Sequence, residues 1–439
     1  MAGHRLPQGA RTGVPLNTLR ADTFPEQAVR ERARTGAAAA FPSPDEYGRT
    51  LYGADPAECA GPGLADSIDG LRLVPPVFMP RRLEKLIDLA REPGYADVDL
   101  TTVIGGLCCA LPLYVSAFGS TKVASVDLGA AAGAQAARLG IPLVIGENIM
   151  PVNGYGRVDD ADVERSLLAR IKAYAANARD GLGGVVVQQS TEDADAEVWN
   201  IVYSDPNTRS LLESGRLAFE LKVGQGAKPG LGGLTLIDRA AAARLADAFT
   251  MDPVFGADSD MVLRCASPGT FTDEILRQQI RLMRNNFPRA RVWVKLPPAR
   301  DIQAAALVAW EAGADAVTVD GAEGGSGWAP TSFLRHVGLP LGECLQRIGP
   351  QPSCLLVSGR MWEGTRVAKC LALGANAAGL GRAALLAVDT DADNGLVNLV
   401  ECLALELRML TSALGKYQVD ELTCEDVWAA PASGGPGLR

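Results

Sequence analysis

Glu220, Lys222, Gln225 and Lys228 fall within one stretch, Glu220 to Gly233, that also holds five glycines. Side chains alternate along a strand, so a strand over Leu217 to Val223 puts Glu220 and Lys222 on one face. The glycines that follow admit positive φ and let a ligand approach main-chain N–H groups, and Lys228 adds a cation inside that loop. Two cations beside a permissive backbone suit an anion, with Glu220 available to orient a lysine or move a proton. Composition alone would equally allow a glycine-rich surface turn with solvated lysines.

The string Lys-x-Gly-Gln-Gly-Ala-Lys-Pro-Gly-x-Gly-Gly, Lys222 to Gly233, resembles the signature of the FMN-binding synthase domain of glutamate synthases. That resemblance implies a (β/α)8 TIM barrel carrying FMN, which reduces the 2-iminoglutarate formed from 2-oxoglutarate and ammonia. It also implies that Lys222, Gln225 and Lys228 contact the substrate.

The elements needed to position such a site are present. Apolar strands are expected at Leu113–Val115, Ile141–Ile145, Gly184–Val187, Phe219–Val223, Met261–Cys265, Arg291–Leu296, Ala316–Val319, Ser353–Val357 and Ala377–Leu380, alternating with helices such as Leu128–Leu139 and Val163–Arg179. That is eight barrel strands and a spare. Residues 111–390 form the expected barrel, preceded by an irregular arm over 1–60 and a lead-in over 61–110 that contains an amphipathic helix around Leu83, Leu86, Ile87 and Ala90. Residues 391–439 supply a C-terminal helical cap, Leu396 to Leu414, and a tail.

Ligands of such barrels sit where the strands end. Gly146 follows one strand, and Gln188 follows another, with Gln189 equally available. Lys295 near the end of Arg291–Leu296 is expected to stabilise the negative charge of a reduced flavin, as in similar barrels. Ser116 and Ala117 begin a Ser-Ala-Phe-Gly-Ser turn resembling the family's loop under the flavin, and Gly325, Ser326 and Gly327 lie in a stretch, Asp320 to Pro330, resembling its Gly-x-x-Gly-Gly-Thr-Gly-Ala-x-Pro loop. Ser358-Gly359-Arg360 and Gly381-Arg382 end two successive strands just before helices, where N–H groups and the two arginines can hold a phosphate.

The family pattern breaks in several places. Ala383 to Glu401 lacks the three-cysteine run that follows the last barrel strand in glutamate synthases, so no iron-sulfur cluster is expected. No amidotransferase domain, N-terminal nucleophilic cysteine or glycine-repeat C-terminal domain is recognisable. Where the family has a glutamine that helps hold 2-oxoglutarate, this chain has Leu234, which offers no amide hydrogen bonds.

Length and composition agree with one large domain: 439 residues, 47% of them hydrophobic. A net charge of -9 argues against nucleic-acid binding. Nine cysteines without a Cys-x-x-Cys pair or a recognisable signal peptide read as reduced thiols in a cytoplasmic protein. The uncharged run Thr101 to Thr121 holds three glycines, a proline and several hydroxyl residues, so it reads as a strand with its loop rather than a membrane span. Neither His4 nor His336 is expected to be catalytic. The leading expectation is an FMN-dependent oxidoreductase passing hydride between flavin N5 and a small carboxylate-bearing substrate (amino acid, imine or 2-oxo acid), with no metal. Two alternatives are a biosynthetic tailoring enzyme, desaturating or redox-neutral, and the flavin subunit of a complex similar to N-methylglutamate synthase. Electrons would come from free nicotinamide, a ferredoxin-like donor protein, a partner subunit or the substrate itself, and a homo-oligomer is expected.

Overall fold

The computed structural model describes residues 24–40, 68–118, 128–146, 167–190, 198–224, 226, 234–246, 249–253, 260–265, 271–324 and 336–429. Eight parallel strands close into a barrel: β1 Leu113–Phe118, β2 Leu143–Ile145, β3 Val185–Ser190, β4 Leu217–Lys222, β5 Arg291–Leu296, β6 Ala316–Asp320, β7 Leu355–Ser358 and β8 Ala377–Leu380. Each pairs with its sequence neighbour; β8 pairs with β1, and β4 with β5. Nearly every strand residue is buried, because the inner face meets the barrel core and the outer face meets helices. This is a (β/α)8 TIM barrel.

The helices that follow strands β1, β2 and β4 to β8 include α1 Leu128–Leu139, α2 Leu167–Asn177, α3 Asp273–Asn286, α4 Ile302–Glu311, α5 Leu341–Ile348, α6 Gly364–Ala372 and α7 Arg382–Thr390. The C-terminal helix α8, Gly395–Ala413, packs across α6, α7 and α1 as the expected cap.

Inside the barrel, Tyr114, Val144, Val186, Ala218, Trp293, Ala316, Leu356 and Ala377 form one apolar cluster with Ile104, Leu107 and Cys109. The last three come from a hairpin, Thr102–Ile104 with Leu107–Cys109, that plugs the N-terminal mouth. Its turn glycine, Gly105, has φ +53 and lies so close to Trp293 that an added Cβ would be 2.3 Å from the indole nitrogen. Trp293 Nε1 donates to the Gly105 carbonyl at 3.1 Å.

The spare strand has a definite place. Met261–Cys265 leaves the barrel and pairs antiparallel with Leu234–Asp238 and Thr250–Asp252 in a separate three-stranded sheet between β4 and α3. The expected irregular arm is also corrected, since Glu26–Thr35 is a helix packed on α7 and α8 with Val29 and Ala33 buried. Arg32 on that helix binds Glu406 of α8 through both terminal nitrogens, at 2.7 and 2.9 Å, and lies over the Trp362 ring. Tertiary pairing of its arginines adds to the burial of a narrow apolar face, Val29 and Ala33, in holding this helix.

Candidate active site

Above the apolar layer, toward the C-terminal ends of the strands, the inward positions turn polar. Alternation carries six of the eight strands from a hydrophobic residue to a polar one two positions on: Tyr114 to Ser116, Val186 to Gln188, Ala218 to Glu220, Trp293 to Lys295, Ala316 to Thr318, and Leu356 to Ser358. Lys222 and Asp320 extend this ring by one more step. All of these polar side chains are buried.

The strand register brings the charges together. Gln188 stands opposite Glu220, Ser190 opposite Lys222, Lys222 opposite Lys295, and Asp320 opposite Ser358. Two buried lysines side by side repel each other, and two carboxylates answer them. Lys295 Nζ lies 3.0 Å from Asp320 Oδ2, and the Ser358 hydroxyl donates to Asp320 Oδ1. Glu220 accepts from Gln188 Nε2 at 2.5 Å and from Thr318 Oγ1 at 2.8 Å. Burial holds the Glu220 carboxyl above its ordinary pKa, against the pull of Lys295 and the two hydrogen bonds. The Tyr114 hydroxyl donates to the Val357 carbonyl at 3.1 Å, and burial, then the charges of Glu220 and Asp320, push its phenol well above the usual value.

Gln188 and Gln189, equivalent by sequence, are distinguished here: Gln188 bonds Glu220 inside the barrel, and alternation turns Gln189 to the other face of β3. Gly146 is buried at the end of β2, and Ala117 is half-buried past Ser116. Leu234 opens the separate sheet opposite Cys265. Gln225, Lys228, Gly325, Ser326 and Gly327 lie outside the described residues. His336 is exposed.

The ends of β7 and β8 form a second corner. Gly359 has φ +134 and Arg360 φ +54, a left-handed conformation that costs a non-glycine residue roughly 1–2 kcal/mol. A network from outside the barrel over-determines it. Arg360 Nη1 pairs with Asp69 at 3.2 Å, and Arg366, which is 1% exposed, donates from Nε to the Gly359 carbonyl at 3.1 Å. Arg366 also bonds Asp69 at 2.7 Å and Glu323 at 3.4 Å, while Glu323 caps the N-terminus of α5 at the Leu341 N–H, 3.1 Å away. Beside this, Gly381 precedes α7, and among the described residues the nearest atom to a Cβ placed on it would be Ser116 Cβ at 3.9 Å. Arg382 lies over the Phe24 ring, 5.6 Å from its centroid, and desolvation holds its pKa below the ordinary arginine value.

Sequence reasoning did not single out Asp320, Thr318, Tyr114, Asp69 or Arg366 as site residues. The inward strand positions were available from the two-residue period once Glu220 and Lys295 were placed. Arg366 carried one signal, a charged residue amid the small and apolar residues of α6.

Residues 172–394, more than half of the 439-residue chain, match the family model described as the conserved region in glutamate synthase. The chain belongs to the glutamate synthase family. Among curated relatives, the archaeal-type glutamate synthase [NADPH] of Dehalococcoides mccartyi is 29% identical over 245 residues, covering 53% of this chain and 47% of that protein. The glutamate synthase large subunit-like protein of Rhizobium meliloti is 36% identical over 180 residues, 39% of each chain. This glutamate synthase family member thus matches about half the length of those relatives, or less. Its fold is similar to that of a mutant chimera of (S)-mandelate dehydrogenase, with a TM-score of 0.54 at 17% identity, covering 93% of this chain and all of that one. A mutant flavocytochrome b2 solved with benzoylformate gives 0.51 at 17% identity, covering 85% and 83%. Among the described residues, no helix is long and apolar enough to cross a membrane, and no cluster of three or more His, Cys, Asp or Glu is placed to hold a metal ion.

Proposed function

We propose that this chain is an FMN-dependent oxidoreductase of the glutamate synthase family, moving hydride between flavin N5 and a small carboxylate-bearing substrate. The observation that carries the reading is the buried ring of Lys222, Lys295, Glu220 and Asp320 at the C-terminal end of the barrel, beside the corner of Gly359, Arg360, Gly381 and Arg382. When bound, FMN supplies a two-electron acceptor and donor that no side chain can offer.

The residues present fit that group. Arg360 Nε is buried without a hydrogen-bond partner, and among the described residues Arg382 has no carboxylate partner. Among the described residues, only Ser116 comes within 4 Å of a Cβ placed on Gly381. These groups, with the N–H groups at the start of α7, would hold the phosphate. Ser116, Ala117, Gly146, Gln188 and Lys295 would surround the ring, with Gly325, Ser326 and Gly327 as further cofactor-binding residues. Lys295 supplies positive charge where the reduced ring is negative. Lys222, joined by Lys228 and Gln225, anchors the substrate carboxylate. Glu220, held by Gln188 and Thr318 with its pKa raised by burial, is the carboxyl available to move a proton at this site. Leu234, in place of an amide, favours a substrate other than 2-oxoglutarate, and a tailoring reaction on a more apolar carboxylate is the second reading.

Anaerobic photoreduction of the FMN-loaded protein, followed by 2-oxoglutarate plus ammonia, separates the two. Recovery of the oxidised flavin bands makes the chain a glutamate-forming enzyme. Bleaching without recovery keeps the flavoenzyme and rejects that substrate pair, and absence of bleaching rejects both.

A further inference from the structure

Lys295 is not a lone cation. Its ammonium lies 3.0 Å from Asp320 Oδ2, and both side chains are 5% exposed. The carboxylate is itself held in place: its other oxygen accepts from the Ser358 hydroxyl on the adjacent strand, so β5, β6 and β7 each contribute one member of a fixed triad. The Glu220 carboxylate also acts on this pair, attracted by Lys295 and repelled by Asp320.

From this geometry, and resting on the flavin reading above, we propose that Asp320 is a positioning residue that sets the redox poise of the bound flavin through Lys295. Interactions between charges grow as the dielectric falls, so a buried lysine with a fixed counter-ion offers a reduced ring less net attraction than a lysine without one. Asp320 thereby keeps the ammonium aimed into the barrel while limiting its preference for the reduced, negatively charged ring over the oxidised, neutral one. No atom is transferred to Asp320; it changes only the relative affinities for the two flavin states.

The test is the flavin midpoint potential, measured by dye equilibration on FMN-loaded protein for wild type, Asp320→Asn, Lys295→Gln and the double variant. Asp320→Asn raises the potential, each tenfold gain in affinity for reduced over oxidised flavin appearing as 29.6 mV for a two-electron couple. In the Lys295→Gln background the same change produces no shift. An equal shift in both backgrounds overturns the proposal, because Asp320 would then act on the flavin directly. No shift in the wild-type background overturns it too.

Removing one partner of a buried pair leaves the other charge uncompensated, so Asp320→Asn is the variant most prone to misfold. Ser358→Ala keeps both charges and frees the carboxylate to bind Lys295 more strongly, which lowers the potential in the wild-type background and leaves it unchanged beside Lys295→Gln. The opposite sign, or the same shift in both, contradicts the proposal. If wild type binds no FMN, the flavin reading itself fails and this inference with it; bound FMN with unmoved potentials removes the inference alone.

Discussion

Thr318 Oγ1 donates a 2.8 Å hydrogen bond to Glu220 Oε1 inside the barrel, across the intervening strand that carries Lys295. The contact fixes Glu220 at the floor of the polar ring, between the apolar layer below and the lysines above. Because burial raises the carboxyl's pKa from 4.5, the folded chain binds a proton there that the unfolded chain has already released. Stability from this group is therefore full below the unfolded pKa and is lost as pH rises through the folded one. Thermal denaturation from about pH 4.5 upward should show wild-type stability falling relative to Glu220→Gln, whose difference curve isolates this group. A difference that stays constant with pH would place Glu220 in an ordinary carboxylate environment.

Arg366 joins Asp69, Glu323 and the Gly359 carbonyl while almost wholly buried. Arg366→Met removes a buried guanidinium from Asp69 and Glu323, leaving them Arg360 and the Leu341 N–H, and should cost about 3–5 kcal/mol in urea denaturation. It should also loosen FMN, because the Gly359-Arg360 turn loses its support. A loss near zero would mean that the network is incidental to the turn.

Gly379 sits against the Tyr114 ring, where an added Cβ would lie 2.5 Å from Cζ. Gly379→Ala should destabilise the barrel by roughly 1–3 kcal/mol through overpacking. Pairing it with Tyr114→Leu, which vacates the ring position, should recover part of that loss, and equal stability of the single and double variants would contradict the contact.

Lys222 on the inner face of β4 should hold the substrate carboxylate, an interaction of roughly 1.5–3 kcal/mol for a hydrogen bond to a charged group. Lys222→Met should therefore raise KM at least tenfold with FMN affinity little changed, and Lys228→Ala should behave in the same way. FMN loss exceeding the substrate effect would move either residue into the cofactor site.

Much of this was legible from the chain because buried parallel strands are continuous apolar runs. Arg291–Leu296, Ala377–Leu380 and helix Leu128–Leu139 occur with the bounds read from sequence. Alternation alone placed Glu220 and Lys222 on one face. Met261–Cys265 was recognisable as a strand, yet nothing local distinguishes a barrel strand from one in a separate sheet, since only its antiparallel partners decide that. The choice between Gln188 and Gln189 turned on where β3 keeps its alternation to Ser190, past the end of the apolar run. The pairing of Lys295 with Asp320 and of Arg366 with Asp69 joins residues 25 and 297 positions apart, and such contacts follow from barrel closure rather than from any local pattern. The helix Glu26–Thr35 escaped notice because its buried face is only valine and alanine among arginines.

The central claim is that FMN binds at the ends of β7 and β8, and the most direct test is a titration of the apoprotein with FMN followed by flavin fluorescence. One-to-one binding in wild type should be lost in Gly381→Leu, whose side chain would enter the space toward Ser116, while circular dichroism stays unchanged. Binding of equal strength in both proteins, or none in wild type, would contradict it.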